Sequence, residues 1–132
     1  MKYYHTELFY TNPLALFINV KVSPSNQEKW FELPAKIDTG ADFSILPLFL
    51  FDEYKNILPN SYCSICTATD NEEDGGKDYP SYFFNVLVEN QKIFRIETVF
   101  LEYKKYMLIG RDILNEITLN INGSNKYFEI IL

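Results

Sequence analysis

The chain has 132 residues, 47% of them hydrophobic and 17% aromatic, and a formal net charge of −6. That length holds one domain with a core of its own but not two lobes, and the composition is that of a folded chain rather than a disordered one. With no cluster of Lys or Arg to follow a phosphate backbone, nucleic acid is excluded as an expected partner.

Most of the sequence reads as short strands. Leu14 to Val22 is apolar and partly alternating, and it ends at the turn cluster Ser23-Pro24-Ser25-Asn26. Trp30 to Ile37 is the next strand, and Phe43 to Leu46 continues in extended form. Pro47 suits a first helical position, so Leu48 to Tyr54 is predicted as a short helix. Tyr62 to Thr69 and Ser81 to Glu89 are strand-like arms around the polar Asp70 to Asp78. Glu89-Asn90-Gln91 turns the chain into a strand over Lys92 to Leu101. Arg111 to Glu116 is a short helix and Ile117 to Ile121 a strand. Asn122-Gly123 is predicted as a hairpin turn, since both residues tolerate positive φ. Tyr127 to Leu132 is a final apolar strand. With no repeat and no linker, a single mainly β domain over residues 1–132 is expected.

No apolar stretch reaches the roughly 18 residues that span a bilayer, so no membrane is expected as a partner. Met1-Lys2-Tyr3-Tyr4-His5 lacks a charged region followed by an apolar core. No secretory signal is read there, and a cytoplasmic location is expected.

The chemistry points to one place. Asp38-Thr39-Gly40-Ala41 ends the apolar run Leu33-Pro34-Ala35-Lys36-Ile37. An Asp-Thr-Gly at a strand end presents a carboxylate on a tight turn, where glycine permits close approach of another chain. The tripeptide by itself reads as an Asp that starts a turn. Three further features go beyond that: the apolar strand before it, the Ala-Asp-x-Ser of Ala41 to Ser44, and Met107-Leu108-Ile109-Gly110-Arg111-Asp112, about seventy residues later.

Together these segments resemble the retropepsin-like aspartic peptidases, the single-domain homodimeric relatives of pepsin, from about Trp30 to about Ile121. The resemblance implies a small closed β-barrel with one or two short helices, assembled as a two-fold homodimer. It implies an aspartic endopeptidase that hydrolyses peptide bonds in extended polypeptide substrates, with no metal and no organic cofactor. Such hydrolysis uses two carboxylates sharing one proton, aspartic proteases being the standard case. Asp74-Gly75-Gly76 lacks the hydroxyl residue and lies in a polar loop, so the second carboxylate must be Asp38 of another copy.

The residue roles follow from the same resemblance. Asp38, Thr39 and Gly40 are the catalytic set. The Thr39 hydroxyl matches the position that bonds across the dimer to the opposite turn, and the Gly40 backbone the position that lies against bound peptide. Ala41 and Asp42 join Gly40 in binding substrate. Asp42 also matches the partner of the arginine in the Gly-Arg-Asp element, which assigns Gly110 and Arg111 to structural support. A cleft-covering flap hairpin is expected at about 62–84, with Gly75 and Gly76 supplying flexibility at its substrate-binding tip. Five carboxylates against one lysine over Asp70 to Asp78 make that tip unusually acidic. It reads either as a solvated loop or as a pair of tips that repel across the dimer near neutral pH. The terminal strand Tyr127 to Leu132 is expected to finish the barrel and to lie at the dimer interface.

Other chemistries are weak here. Cys63 and Cys66 form a C-x-x-C on a predicted strand, where residues i and i+3 point to opposite faces about 10 Å apart; a disulfide needs Cα atoms within about 7 Å. Two reduced cysteines are expected. Zinc lacks further ligands, because His5 is the single histidine, and for the same reason no Ser/His/Asp or Cys/His system is read. The rival function is a catalytically silent dimeric β-module that binds a peptide or protein partner, motivated by the acidic flap.

Overall fold

The computed structural model describes residues 1–4, 15–54, 56–65, 77–102 and 105–132. Its largest sheet is built around β2 (Phe17–Pro24), which pairs antiparallel with β3 (Phe31–Ile37) on one edge and β6 (Lys77–Val88) on the other. β5 (Ser61–Ile65) and β7 (Lys92–Thr98) both lie antiparallel to β6, and β9 (Met107–Ile109) lies parallel to β3. Alternate residues face inward, as the period of two requires. Val20, Val22, Leu33, Ala35, Ile37, Phe84, Val86, Val88, Phe94 and Ile96 are all buried. Phe84 is fully buried and meets Phe100 and Tyr54 edge-on at 5.6 and 5.5 Å, a geometry that adds to the burial of a large ring.

Several predicted boundaries move for identifiable reasons. β2 runs on through Ser23 and Pro24 because Pro24 pairs with Phe84, and the turn follows, with the Gln27 N–H donating to the Pro24 carbonyl at 3.1 Å. The predicted strand Lys92 to Leu101 is divided into β7 and β8 (Phe100–Leu101). After Thr98 the chain leaves β6 for a new partner, β4 (Leu46–Pro47), which β8 pairs in parallel. Pro47 is therefore extended rather than the first helical residue, with φ −70° and ψ 141°, and the following Leu48–Glu53 is a 3₁₀ helix. The helix α1 covers Arg111–Leu114 and is shorter than expected.

A second sheet has the order β1 (Lys2–Tyr4), β11 (Tyr127–Ile131), β10 (Thr118–Asn122). β1 has no counterpart in the sequence reading; its place comes from Tyr3, whose ring stacks on buried Phe128 at 5.2 Å. β11 has a strand on each edge, so within the protomer it is an interior strand.

The two hairpin turns differ. Glu89 and Asn90 both have positive φ (55° and 54°), and the Gln91 N–H donates to the Val88 carbonyl at 3.0 Å, giving the I′ turn whose twist suits a hairpin. The predicted two-residue Asn122-Gly123 turn is instead a longer loop, since Asn122 pairs with Tyr127. The Asn122 side-chain oxygen accepts from the Ser124 hydroxyl and the Asn125 N–H, and the positive φ falls on Lys126 (56°). The asparagine side chain organises the start of this loop, and the positive φ moves to its end.

Candidate active site

β3 ends at Ile37, and the chain then arches over the end of β9 and returns along its other side. Leu108 in β9 sits opposite Lys36 in β3 and also exchanges two 2.9 Å backbone bonds with Ile45. β9 is thus held between the two legs of the 38–44 loop. That is why residues remote in sequence meet here.

Backbone bonds close the loop onto the segment below it. The Asp38 N–H donates to the Ile109 carbonyl and the Arg111 N–H to the Ala41 carbonyl, both at 2.9 Å. Within the loop the Ala41 N–H reaches the Asp38 carbonyl at 3.2 Å, and the Gly40 N–H donates to Asp38 Oδ1 at 3.0 Å. The Asp38 carboxylate is therefore oriented by its own turn, on a loop tied at both ends to β9 and α1. Thr39, Gly40 and Asp42 are exposed.

The two glycines do different things. A Cβ on Gly110 would lie 2.6 Å from the backbone carbon and oxygen of Phe43 and 2.9 Å from the Ala41 carbonyl oxygen. Only glycine lets the two segments approach this closely. A Cβ on Gly40 would meet nothing nearer than Asp38 Oδ1 at 3.4 Å, an ordinary contact. Among the described residues nothing demands glycine at 40.

Beneath the loop lies a polar hub. Ser44 is fully buried. Its N–H and its hydroxyl donate to Asp112 Oδ2 and Oδ1 at 3.0 and 2.6 Å, and its hydroxyl accepts the Gly110 N–H at 3.0 Å. The Ser44 carbonyl accepts from the Thr98 hydroxyl at 2.9 Å, and Asp112 Oδ1 also accepts the Ile113 N–H at 2.9 Å. The buried Ser44 N–H, hydroxyl and carbonyl and the Thr98 hydroxyl thereby each have a partner, as buried polar groups require. Sequence reasoning placed Ser44 and Asp112 in its motifs without giving either a role, and it gave Thr98 none. Two hydrogen-bonding residues in the segments that frame a candidate carboxylate were the available signal.

The Arg111 guanidinium Nη2 forms an ion pair with Asp42 Oδ1, and both side chains are more than half exposed, at 51% and 67%. Gly75 and Gly76 fall outside the described residues, with the rest of 66–76. The arms that flank them pair antiparallel, from Ser61 opposite Ser81 to Ile65 opposite Lys77. Cys63 is a free thiol whose Sγ lies 3.6 Å from Glu97 Oε1, an oxygen that also accepts from buried Ser81 at 2.7 Å; Cys66 and His5 lie outside the described residues. Among the described residues no group of three or more His, Cys, Asp or Glu is arranged to hold a metal ion, and no helix is long and apolar enough to cross a membrane.

No protein-family model and no curated protein sequence matches this chain. Solved structures do. A retropepsin-like aspartic protease from Rickettsia conorii superposes with a TM-score of 0.66 and 14% identity, over 99% of this chain and 88% of that one. The protease of EIAV, in complex with the inhibitor HBY-793, gives 0.51 and 16% over 83% and 93%. The foamy viral protease-reverse transcriptase, in complex with an RNA/DNA hybrid, gives 0.51 and 19%, over 77% of this chain but 12% of that larger one. The fold is retropepsin-like.

Proposed function

On this retropepsin-like fold, we propose that the chain is an aspartic endopeptidase, active as a homodimer in which each copy supplies one Asp38. The observation that carries this reading is the anchoring of the Asp38 turn. Its carboxylate is oriented by the Gly40 N–H and presented on a loop clamped by Ile109, Gly110 and Arg111. A turn that merely reversed the chain would need no such fixing, whereas catalysis needs carboxylates held in one geometry.

In this mechanism the two Asp38 carboxylates, facing each other across the two-fold axis, share one proton. The ionised carboxylate takes a proton from the attacking water, and the protonated one donates to the carbonyl oxygen of the scissile peptide. Gly40 fits the reading because its missing side chain is unexplained by contacts among the described residues; a partner turn or a substrate backbone is what would come close. The Thr39 hydroxyl bonds to the opposite turn, and Ala41 and Asp42 line the bound peptide with Gly40. Gly110 and Arg111 support the loop from below. The β5–β6 arms carry a flap whose tip, with Gly75 and Gly76, closes over extended polypeptide substrates. The closed barrel and the two-fold dimer belong to the same reading.

Cleavage of a diverse peptide library between about pH 4 and 7, where coupled carboxylates of this kind titrate, tests it. Wild type is compared with Asp38→Asn at a concentration where the protein is dimeric. Cleavage by wild type alone is expected. Equal cleavage by both, or silence from both in a proven dimer, rejects the assignment, and the second result leaves the binding module in its place.

A further inference from the structure

We propose that Asn122 is a self-modifying site: the backbone nitrogen of Gly123 attacks its side-chain amide, ammonia leaves, and the end of β10 is converted with time to aspartate and isoaspartate. The inference is independent of the peptidase reading, since it uses no residue of the Asp38 loop.

Asn122 is the single asparagine of the chain that glycine follows. Nothing in the fold of the loop calls for that glycine. Its φ lies outside the left-handed region, and a Cβ added to it would meet nothing within 4 Å. What glycine alone provides is a backbone nitrogen with no side chain beside it. That nitrogen is also available. Gly123 is exposed and lies just beyond the last ladder pair, Asn122 with Tyr127. Among the described residues no backbone acceptor takes its N–H, while its carbonyl accepts the Lys126 N–H at 3.3 Å.

The amide under attack is already polarised. Asn122 Oδ1 accepts the Ser124 hydroxyl at 3.0 Å and the Asn125 N–H at 3.1 Å. A backbone N–H only donates, so the atom facing it is the oxygen and the amide has one orientation. These bonds fold the side chain forward over the loop that Gly123 begins. Attack makes Cγ tetrahedral and places negative charge on Oδ1, where two donors already point, as in an oxyanion hole. On the other side Nδ2 lies 3.3 Å from the Tyr127 hydroxyl. Once Cγ is tetrahedral that nitrogen is an amine with a lone pair, and the phenol can donate to it as a general acid while it leaves.

The reaction balances with water alone. The Gly123 N–H proton passes to solvent, the N–Cγ bond forms, and the Cγ–Nδ2 bond breaks with release of ammonia. Tyr127 recovers its proton from solvent. Water then opens the cyclic imide at either carbonyl. Opening at Cγ gives aspartate, which keeps the backbone and can still accept from Ser124 and Asn125. Opening at the main-chain carbonyl gives isoaspartate, in which the chain runs through the former side chain and gains a methylene. That insertion falls on the residue paired with Tyr127, next to the fully buried Phe128. The isoaspartyl form therefore loses the register that joins β10 to β11, and the aspartyl form changes in charge only.

Ageing the full chain at neutral pH, with peptide mass mapping and an isoaspartyl methyltransferase assay, tests this. Conversion is expected at Asn122 and not at Asn60, which is exposed and followed by serine. Gly123→Ala is expected to slow it about tenfold, a barrier change of about 1.4 kcal/mol. Ser124→Ala is expected to slow it roughly two- to tenfold, the worth of one hydrogen bond. Both positions are exposed, so thermal unfolding of the fresh variants should match the wild type and separate a slower reaction from a disturbed fold. The isoaspartyl form, isolated by ion exchange, is expected to unfold at a lower temperature than the fresh protein, and Asn122→Asp at nearly the same one. An Asn122 that stays intact, converts no faster than Asn60, or converts as fast or faster in Ser124→Ala overturns the proposal. So does an isoaspartyl form as stable as the fresh protein.

Discussion

Asp112 takes both the N–H and the hydroxyl of Ser44, at 3.0 and 2.6 Å, and so joins the far leg of the Asp38 loop to the first turn of α1. The pair is 68 residues apart in sequence. It links the loop that carries the candidate carboxylate to the segment that supports it, and it does so where water cannot substitute, because Ser44 is fully buried.

Ser44→Ala should destabilise the fold by about 1–3 kcal/mol, the usual cost of leaving a buried group unsatisfied. The variant keeps the backbone bond to Asp112 but loses the hydroxyl one, and it leaves the Gly110 N–H without its acceptor. Urea denaturation measures the loss, and peptide cleavage should fall with it as the loop loosens. Stability equal to wild type would show that the hub contributes nothing.

The two loop glycines should respond oppositely to alanine. In Gly110→Ala the new Cβ meets backbone atoms of Phe43 and Ala41 that cannot rotate away, so a loss of about 3 kcal/mol or more is expected, at the upper end for overpacking. Gly40→Ala should change stability by less than about 1 kcal/mol, the range of ordinary substitutions, because its Cβ has room. Its effect should fall on dimerisation and cleavage instead. Thermal unfolding and ultracentrifugation, run side by side, separate the two.

Arg111→Lys should barely affect stability. The pair with Asp42 is solvent-exposed on both sides, and such pairs contribute roughly 0.2–1 kcal/mol. Lysine keeps the charge but not the planar fork, so cleavage should drop more than stability does. An equal response of both quantities would mean that Arg111 contributes charge alone.

Tyr54 provides an alkaline signature. Burial first, and the neighbouring Glu53 charge second, push its hydroxyl up to about 12 from 10.0. The folded state then holds the phenol proton more tightly than the unfolded chain does. The stability linked to it is complete below pH 10.0 and is lost as the pH climbs toward about 12. Tyr3 and Tyr82 are raised as well, also chiefly by burial, so they steepen the same limb. Tyr54→Phe should flatten that limb without removing it. At neutral pH it should cost about 0.5–1.5 kcal/mol, because the Tyr54 hydroxyl donates to the Val22 carbonyl at 3.0 Å. Denaturation midpoints from pH 7 to 12 measure both effects.

The sequence alone determined what depends on local pattern. The alternating apolar residues of β2, β3, β6 and β7 appear as strands because a period of two is written into neighbouring positions. Asp38 at a strand end, and Gly110-Arg111 after the apolar segment about seventy residues later, stood out because together they resemble a known family. The fold class followed from the strand pattern and that resemblance.

The tertiary structure decided whatever depends on a partner distant in the chain. β1 is too short to show a pattern and exists through Phe128 and β11. The division at Val99 occurs because Thr98 and Leu46 draw the strand to a second neighbour, which no periodicity encodes. The loop after Asn122 lengthened because Asn122 pairs with Tyr127 and its side chain organises the residues between them. Ser44, Thr98 and Asp112 acquired a joint role only when β9 passed between the legs of the Asp38 loop. Gly40 and Gly110 look equivalent as letters, yet one is crowded by backbone and the other is open. That difference lies in what packs against each residue, and packing is a property of the folded chain.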